Sequence, residues 1–288
     1  MTRHQRQWTV RSIGIVAAGV ALVAAVAVLP GDGAMASATT TAGGRSPLQP
    51  ASPVHVNTNG HGKSVTNATQ NSLNWAGYAV TGARFTDVTG SWTQPAVTCP
   101  KNQAQESAFW VGIDGFSGSD PTVQQVGTDS DCTQGHGKKG GGPNYYAWYE
   151  LYPQAFVALS STTYPVAPGD PLSASVSQSG AAYTLSISDG FKWSFSTTQT
   201  PSITPLDSSA EWVAEAPTSC AKHCKSVPLA DFGSVGFTGA SANHQAISAP
   251  AFTNYQITMS TKNAKKILAV PSALTSGGTA FTVTWLQN

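Results

Sequence analysis

Charge is scarce in this chain. Of 288 residues only 10% are Asp, Glu, Lys or Arg, and just four are glutamates: Glu106, Glu150, Glu211 and Glu215. Without residues 1–38 the balance is 12 basic to 13 acidic residues, a net charge of −1. No basic stripe runs along it, so nucleic acid is not an expected partner. Sustained helical periodicity is also missing, which argues against a helical bundle or an α/β fold. "STKNAKKILAV" has room for a turn or two of helix at most, and no repeat period is visible. Familiar nucleophile and metal signatures are absent too. There is no G-x-S-x-G and no H-E-x-x-H, and His136, His223 and His244 sit in loop-like stretches without an obvious orienting partner. "GHGKKGGGP" (135–143) lacks the glycine spacing and the Ser/Thr of a phosphate loop and reads as a surface loop. No cofactor and no metal are expected.

What is present begins with a leader. Arg3, Arg6 and Arg11 precede the apolar run at 12–29, and the small residues of "GAMASA" follow. That is the layout of a secretory signal over residues 1–38, which predicts an extracellular protein with no stable membrane association once the signal is cleaved. The run also has the length of a spanning anchor. Residues 39–70, rich in Thr, Ser, Gly, Pro and Asn, read as a disordered linker or short pro-segment. Residues 71–288 suffice for one well-buried domain, expected to be a monomer.

Strand patterns dominate that domain. Leu172, Ala174 and Val176 alternate with Ser, as do Tyr183, Leu185 and Ile187 with Thr and Ser. Asp189-Gly190 reads as a two-residue hairpin turn, with Phe191, Trp193 and Phe195 on the returning strand. Phe281, Val283 and Trp285 alternate near the C-terminus. Short alternating strands between Gly/Pro/Ser turns predict an all-β, antiparallel sandwich with two large sheets, one of which offers a groove to an extended polymer. Four cysteines in an exported chain suggest two disulfides. Cys220 and Cys224 close a small loop, which leaves Cys99 with Cys132; a zinc site at Cys220, His223 and Cys224 is the alternative, though no further ligand cluster completes it.

Carboxylates are the chemistry that remains. In "AEWVAEAP" a strand sets Glu211, Val213 and Glu215 on one face and Trp212 and Ala214 on the other. Two readings compete: a solvated edge-strand face, or a groove in which one carboxylate is a general acid or base. Glu150 in "AWYELYP" is enclosed by aromatics, a setting that is either plain core or one that raises a carboxyl pKa. Asp114 follows the apolar strand "FWVGI", and "TVQQVGTD" sets Val123, Gln125 and Gly127 on one face.

Six stretches, "NWAGYAV" (74–80), "FWVGIDG" (109–115), "QQVGTD" (124–129), "YYAWYELYP" (145–153), "AEWVAE" (210–215) and "VPLADFGSVGF" (227–237), resemble in order and spacing the glutamic peptidases, or eqolisins. The resemblance covers most of residues 71–240. It implies a concanavalin-like β-sandwich of two seven-stranded sheets and a secreted acid endopeptidase acting on polypeptides through a Glu/Gln dyad and an activated water, with no covalent intermediate. It places the dyad on Glu215 and Gln125, with Trp75, Trp110, Asp114, Trp148 and Glu150 in support, and matches the cysteine pair before "VPLADF" to a family disulfide. Where many members carry an acid this chain has Tyr146, and where they carry an aromatic it has Leu151. The residue types suit the task. A carboxylate with an ordinary pKa of about 4.3 stays ionised in acid and can take a proton from water and return it to nitrogen, while a glutamine amide can donate to the oxyanion and accept from the water. A carbohydrate-binding sandwich, or a glycosidase using Glu150 and Glu215, is the rival reading.

Overall fold

The computed structural model describes residues 67–117, 120–135, 141–220 and 224–288, without the side chains of 67 and 218–226. The leader, most of the linker, His136, His223 and the side chains of Cys220 and Cys224 lie outside the described residues. The strands, in chain order, are β1 (Asn67–Ser72), β2 (Trp75–Thr81), β3 (Asp87–Thr93), β4 (Ala108–Ile113), β5 (Val123–Cys132), β6 (Pro143–Tyr152), β7 (Val157–Ala158), β8 (Pro171–Ser179), β9 (Ala182–Asp189), β10 (Trp193–Gln199), β11 (Ser209–Glu215), β12 (Thr218–Cys220), β13 (Cys224–Ser226), β14 (Ser234–Ala242), β15 (Gln245–Ala246), β16 (Thr253–Ser260), β17 (Ile267–Pro271) and β18 (Phe281–Trp285). Among the described residues the one helical turn is a 3₁₀ segment at Ser276–Gly278, and no helix is long and apolar enough to cross a membrane.

The all-β sandwich is present, with a refinement. Its two layers are continuous along one hydrogen-bonded path, β10-β9-β8-β3-β14-β18-β17-β16-β2-β11-β4-β5-β6-β7. The sheet folds over so that β8 and β9 lie against β4 and β5. The inward residues of the alternating strands, Trp92, Leu172, Leu185 and Ile187 among them, meet Phe109, Val111, Val126 and Trp212 in one core. Trp212 Nε1 donates to Thr89 O across the layers at 2.6 Å, and Trp92 Nε1 to Thr128 Oγ1 at 3.1 Å, so the buried indoles keep their polar ends satisfied. Cys99 and Cys132 form a disulfide. The backbone register sets Cys220 opposite Cys224 on β12 and β13.

Four local expectations change. β1 (Asn67–Ser72) starts inside the stretch read as linker, where no large apolar residue announces it; it pairs in parallel with β16 through its backbone. The turn after β9 spans three residues, Gly190 to Lys192, with Gly190 at φ 47, and Phe191 projects fully into solvent instead of returning to the core. "STKNAKKILAV" forms no helix: its first residue ends β16 and its last four lie in β17. Finally, β11 is a central strand between β2 and β4, not a solvated edge, and all seven of its residues are buried.

Candidate active site

Burial of both faces of β11 explains why polar alternation coexists with a core position. One face meets the opposite layer. The other lies under a second apolar cluster that includes Trp75, Trp110, Tyr146, Trp148, Val213 and Ile257, with Phe116, Tyr152 and Phe156 against it. Cross-strand register lays this face out in rows. Glu211, Gly112, Gln125 and Glu150 form one row across β11, β4, β5 and β6; Val213, Trp110, Gly127 and Trp148 form the next; Glu215, Ala108, Asp129 and Tyr146 form the third. Glycine makes room for the indoles. A Cβ on Gly127 would stand 2.2 Å from Phe109 O and 2.6 Å from Trp110 Cβ, so no larger residue fits between Trp110 and Trp148.

Glu215 ends β11 and is wholly buried. Its Oε2 accepts from Trp110 Nε1 at 2.8 Å and its Oε1 from Asn74 Nδ2 at 3.0 Å. The Trp75 N–H lies close enough to favour the anion without reaching hydrogen-bond geometry. Burial outweighs these donors and pushes the carboxyl up to about 8. This corrects the ordinary pKa that the sequence suggests for a glutamate.

Gln125 and Glu150 are direct partners: Gln125 Nε2 donates to Glu150 Oε2 at 2.8 Å, across adjacent strands in register. Gln125 Oε1 and Glu150 Oε1 are buried without a hydrogen-bond partner. Burial, and then the charge of Glu215, lift Glu150 to about 8. Glu150 in the first row and Glu215 in the third lie on the same face of the sheet. Trp148 is anchored by Asp129, which accepts its Nε1 at 2.6 Å. The Tyr146 hydroxyl donates to the other oxygen of Asp129, also at 2.6 Å, and lies 3.1 Å from Asp131. Phe156 closes over Trp148 and Tyr146 with ring centroids 5.3 and 6.4 Å away.

Asp114 lies apart from this convergence. At φ 71 it turns the chain after β4, and its carboxylate accepts the backbone N–H groups of Leu206, Asp207 and Ser208. It supports the segment that enters β11. Burial, with the charge of Asp120, raises it to about 7. Glu211 belongs to this end as well. Both of its carboxylate oxygens are buried without a hydrogen-bond partner, and burial, reinforced by Asp114 and Asp120, holds its pKa well above the ordinary range, with the Ser209 hydroxyl easing it slightly. Glu211 and Glu215 share a strand face but not an environment.

Sequence reasoning missed Asn74, Asp129 and Tyr146 as site residues, although all three lie within the motifs quoted above. Their signal is cross-strand: Asn74 meets Glu215 over 141 residues of sequence. Among the described residues, no group of three His, Cys, Asp or Glu could hold a metal ion. An open trough of about 490 Å³ lies on the other layer, lined by Ser91, Ser173, Ser175, Ser186 and Ser188 among others. It contains no titratable side chain, and its hydroxyls pair with one another, as in Ser91–Ser173 at 2.8 Å and Ser186–Ser196 at 2.9 Å.

Aspergillopepsin-2 of Aspergillus niger is 31% identical over 193 residues, which cover 59% of this chain and 64% of that protein. In structure the chain is similar to scytalido-glutamic peptidase solved with a transition-state analogue inhibitor (TM-score 0.60, 22% identity, 74% of this chain and 98% of that one). It is also similar to SCP-B, an eqolisin solved with the tripeptide Ala-Ile-His (TM-score 0.55, 20% identity, 74% and 98%). The sequence model of the Peptidase A4 family matches residues 73–285, and the chain belongs to that family, the glutamic peptidases or eqolisins.

Proposed function

We propose that this protein is an exported, monomeric endopeptidase that cleaves polypeptides in acid, with Glu215 moving the proton and Gln125 binding the developing oxyanion. The observation that carries the proposal is the environment of Glu215: a wholly buried carboxyl at which Trp110 and Asn74 aim neutral N–H donors, on the face that also holds Gln125. Glu215 takes a proton from the attacking water and returns it to the leaving nitrogen, so no covalent intermediate forms. Gln125 has two amide hydrogens. One is held by Glu150, the other is left for the oxyanion, and the carbonyl oxygen is left to accept from water. A single donor of this kind is typically worth about 3 kcal/mol of transition-state stabilisation.

Burial holds the proton on Glu215, and the N–H donors aimed at it by Trp110 and Asn74 favour its ionised form against that burial. Gln125 also separates this reading from a glycosidase, in which Glu150 and Glu215 would suffice and the amide would be incidental. The test is casein hydrolysis at pH 3 to 5 in the presence of an aspartic-peptidase inhibitor. Glu215→Gln abolishes turnover, and Gln125→Ala lowers kcat by about 10²–10³ with little change in KM. Near-normal turnover by either variant refutes the dyad.

A further inference from the structure

Glu215 is served by a short chain of hydrogen bonds that starts on β1, the strand least visible in the sequence. Ser72 is its last residue, and Leu73 and Asn74 turn the chain into β2. In that turn the Ser72 hydroxyl oxygen accepts the backbone N–H of Asn74 at 3.2 Å and of Trp75 at 3.0 Å. The hydroxyl proton donates to Asn74 Oδ1 at 3.2 Å. Asn74 Nδ2 then donates to Glu215 Oε1 at 3.0 Å. All three residues are buried, with exposures of 5%, 3% and 0%.

We propose that Ser72 and Asn74 are positioning residues for Glu215: the Ser72 hydroxyl fixes the Asn74 amide so that its NH₂, not its oxygen, faces the carboxylate. The inference rests on the reading of Glu215 as the proton-transferring group.

An asparagine amide is symmetric in shape, and only its hydrogen bonds decide which end points where. With its oxygen toward Glu215, Asn74 would set two acceptors against each other and disfavour the ionised form. With its NH₂ there, it favours that form. Ser72 supplies a hydroxyl donor to Oδ1, and β1 holds Ser72 through its parallel pairing with β16, where it stands opposite Met259. The surroundings leave this orientation little competition. The strands flanking β11, β2 and β4, present no charged side chain to this face. Among the described residues, Glu211 on β11 itself, Asp129 and Asp131 on β5, Tyr146, Glu150 and Tyr152 on β6 and Tyr255 on β16 are the titratable groups on this face, with no Lys, Arg or His.

A shape-only role for this turn predicts different behaviour, which makes the relay testable. In Ser72→Ala and in Asn74→Ala, kcat falls roughly tenfold with KM within about twofold, and the acid limb of kcat/KM moves up by about one pH unit as the anion loses a donor. Ser72→Thr, which keeps the hydroxyl, restores both. Asn74→Asp, which replaces the donor with an acceptor, moves the limb further than Asn74→Ala. The double variant Ser72→Ala/Asn74→Ala is no worse in kcat than Asn74→Ala alone, because Ser72 acts through Asn74. Additive losses in the double variant, or an acid limb that stays in place in the single variants, overturn the relay. Glu215→Gln is run alongside: if it keeps near-normal turnover the dyad itself fails, whereas an inactive Glu215→Gln beside unmoved limbs in the Ser72 and Asn74 variants refutes the relay alone.

Discussion

Raising the pH should unfold this protein, and the buried carboxyls set how steeply. Glu150 and Glu215 rise from an ordinary 4.5 to about 8, and Asp114 from 3.8 to about 7. A carboxyl raised in the folded state keeps its proton where the unfolded chain has already lost it. Its stabilising effect is therefore complete below about pH 4 and is lost as pH climbs through 7 and 8. Each group tilts the curve by about 1.4 kcal/mol per pH unit inside its window. Over the full shift Glu215 accounts for about 5 kcal/mol, and Asp114 adds less than an independent share, since part of its shift is the charge of Asp120. Glu150 adds less than a second independent share, since part of its shift is the charge of Glu215. Against a total stability of about 5–15 kcal/mol, that is enough to unfold the domain. The assay is thermal unfolding followed by near-UV circular dichroism from pH 3.5 to 8.5 at constant ionic strength. Tm is highest near pH 4 and falls by roughly 20 °C by pH 8. Glu211→Leu isolates one contributor. It removes an unpartnered buried carboxyl and fills the space with apolar atoms, so it raises Tm near pH 7 and flattens the slope by one group's share. A Tm that stays level or rises between pH 5 and 8, or an unchanged slope in Glu211→Leu, refutes the reasoning.

Other outcomes follow from single contacts. Trp110→Phe removes the 2.8 Å donor to Glu215 Oε2, so the acid limb of kcat/KM rises, read from a pH–rate profile on a peptide substrate. Replacing Cys99 and Cys132 by Ser opens a loop with a sequence separation of 33 and lowers stability by about 3.5–4 kcal/mol in denaturant titrations, with the groove intact. Gly127→Ala drives a Cβ into Phe109 O and Trp110, and the variant fails to give a cooperative melting transition. Tyr146→Phe takes a hydroxyl donor from Asp129, which anchors Trp148; the groove wall loosens and KM rises more than kcat falls.

How legible a strand was depended on what covered its outer face. In β8 and β9 the outer positions are Ser and Thr open to water, so apolar residues at every second position named both strands and their inward faces. The same rule left β11 open between a solvated edge face and a groove. Glu211, Val213 and Glu215 look like an outer face, and they are one, but Trp75, Trp110, Trp148 and their neighbours roof it over. Polar alternation in a chain this poor in charge was therefore a sign of a second buried face. The tryptophans carried that sign, though only register puts Trp110 and Trp148 in one row and Trp75 in the next. The roles of Ser72 and Asn74 were illegible for a related reason: β1, which ends at Ser72, has no apolar pattern, and Asn74 meets Glu215 only across 141 residues of sequence. Motif order could place Glu215 on the correct strand. The resemblance assigned the dyad to Glu215 and gave Glu211 no role; why their environments differ, with donors on both oxygens of Glu215 and none on Glu211, lies in what neighbouring strands present. The same comparison bears on how the site works. Both glutamates lose their water on folding, but only Glu215 receives neutral N–H groups in exchange. Glu211 is stabilised as the acid alone. Glu215 has burial favouring its acid form and N–H donors favouring its anion, as the proposed transfer of a proton in each direction requires.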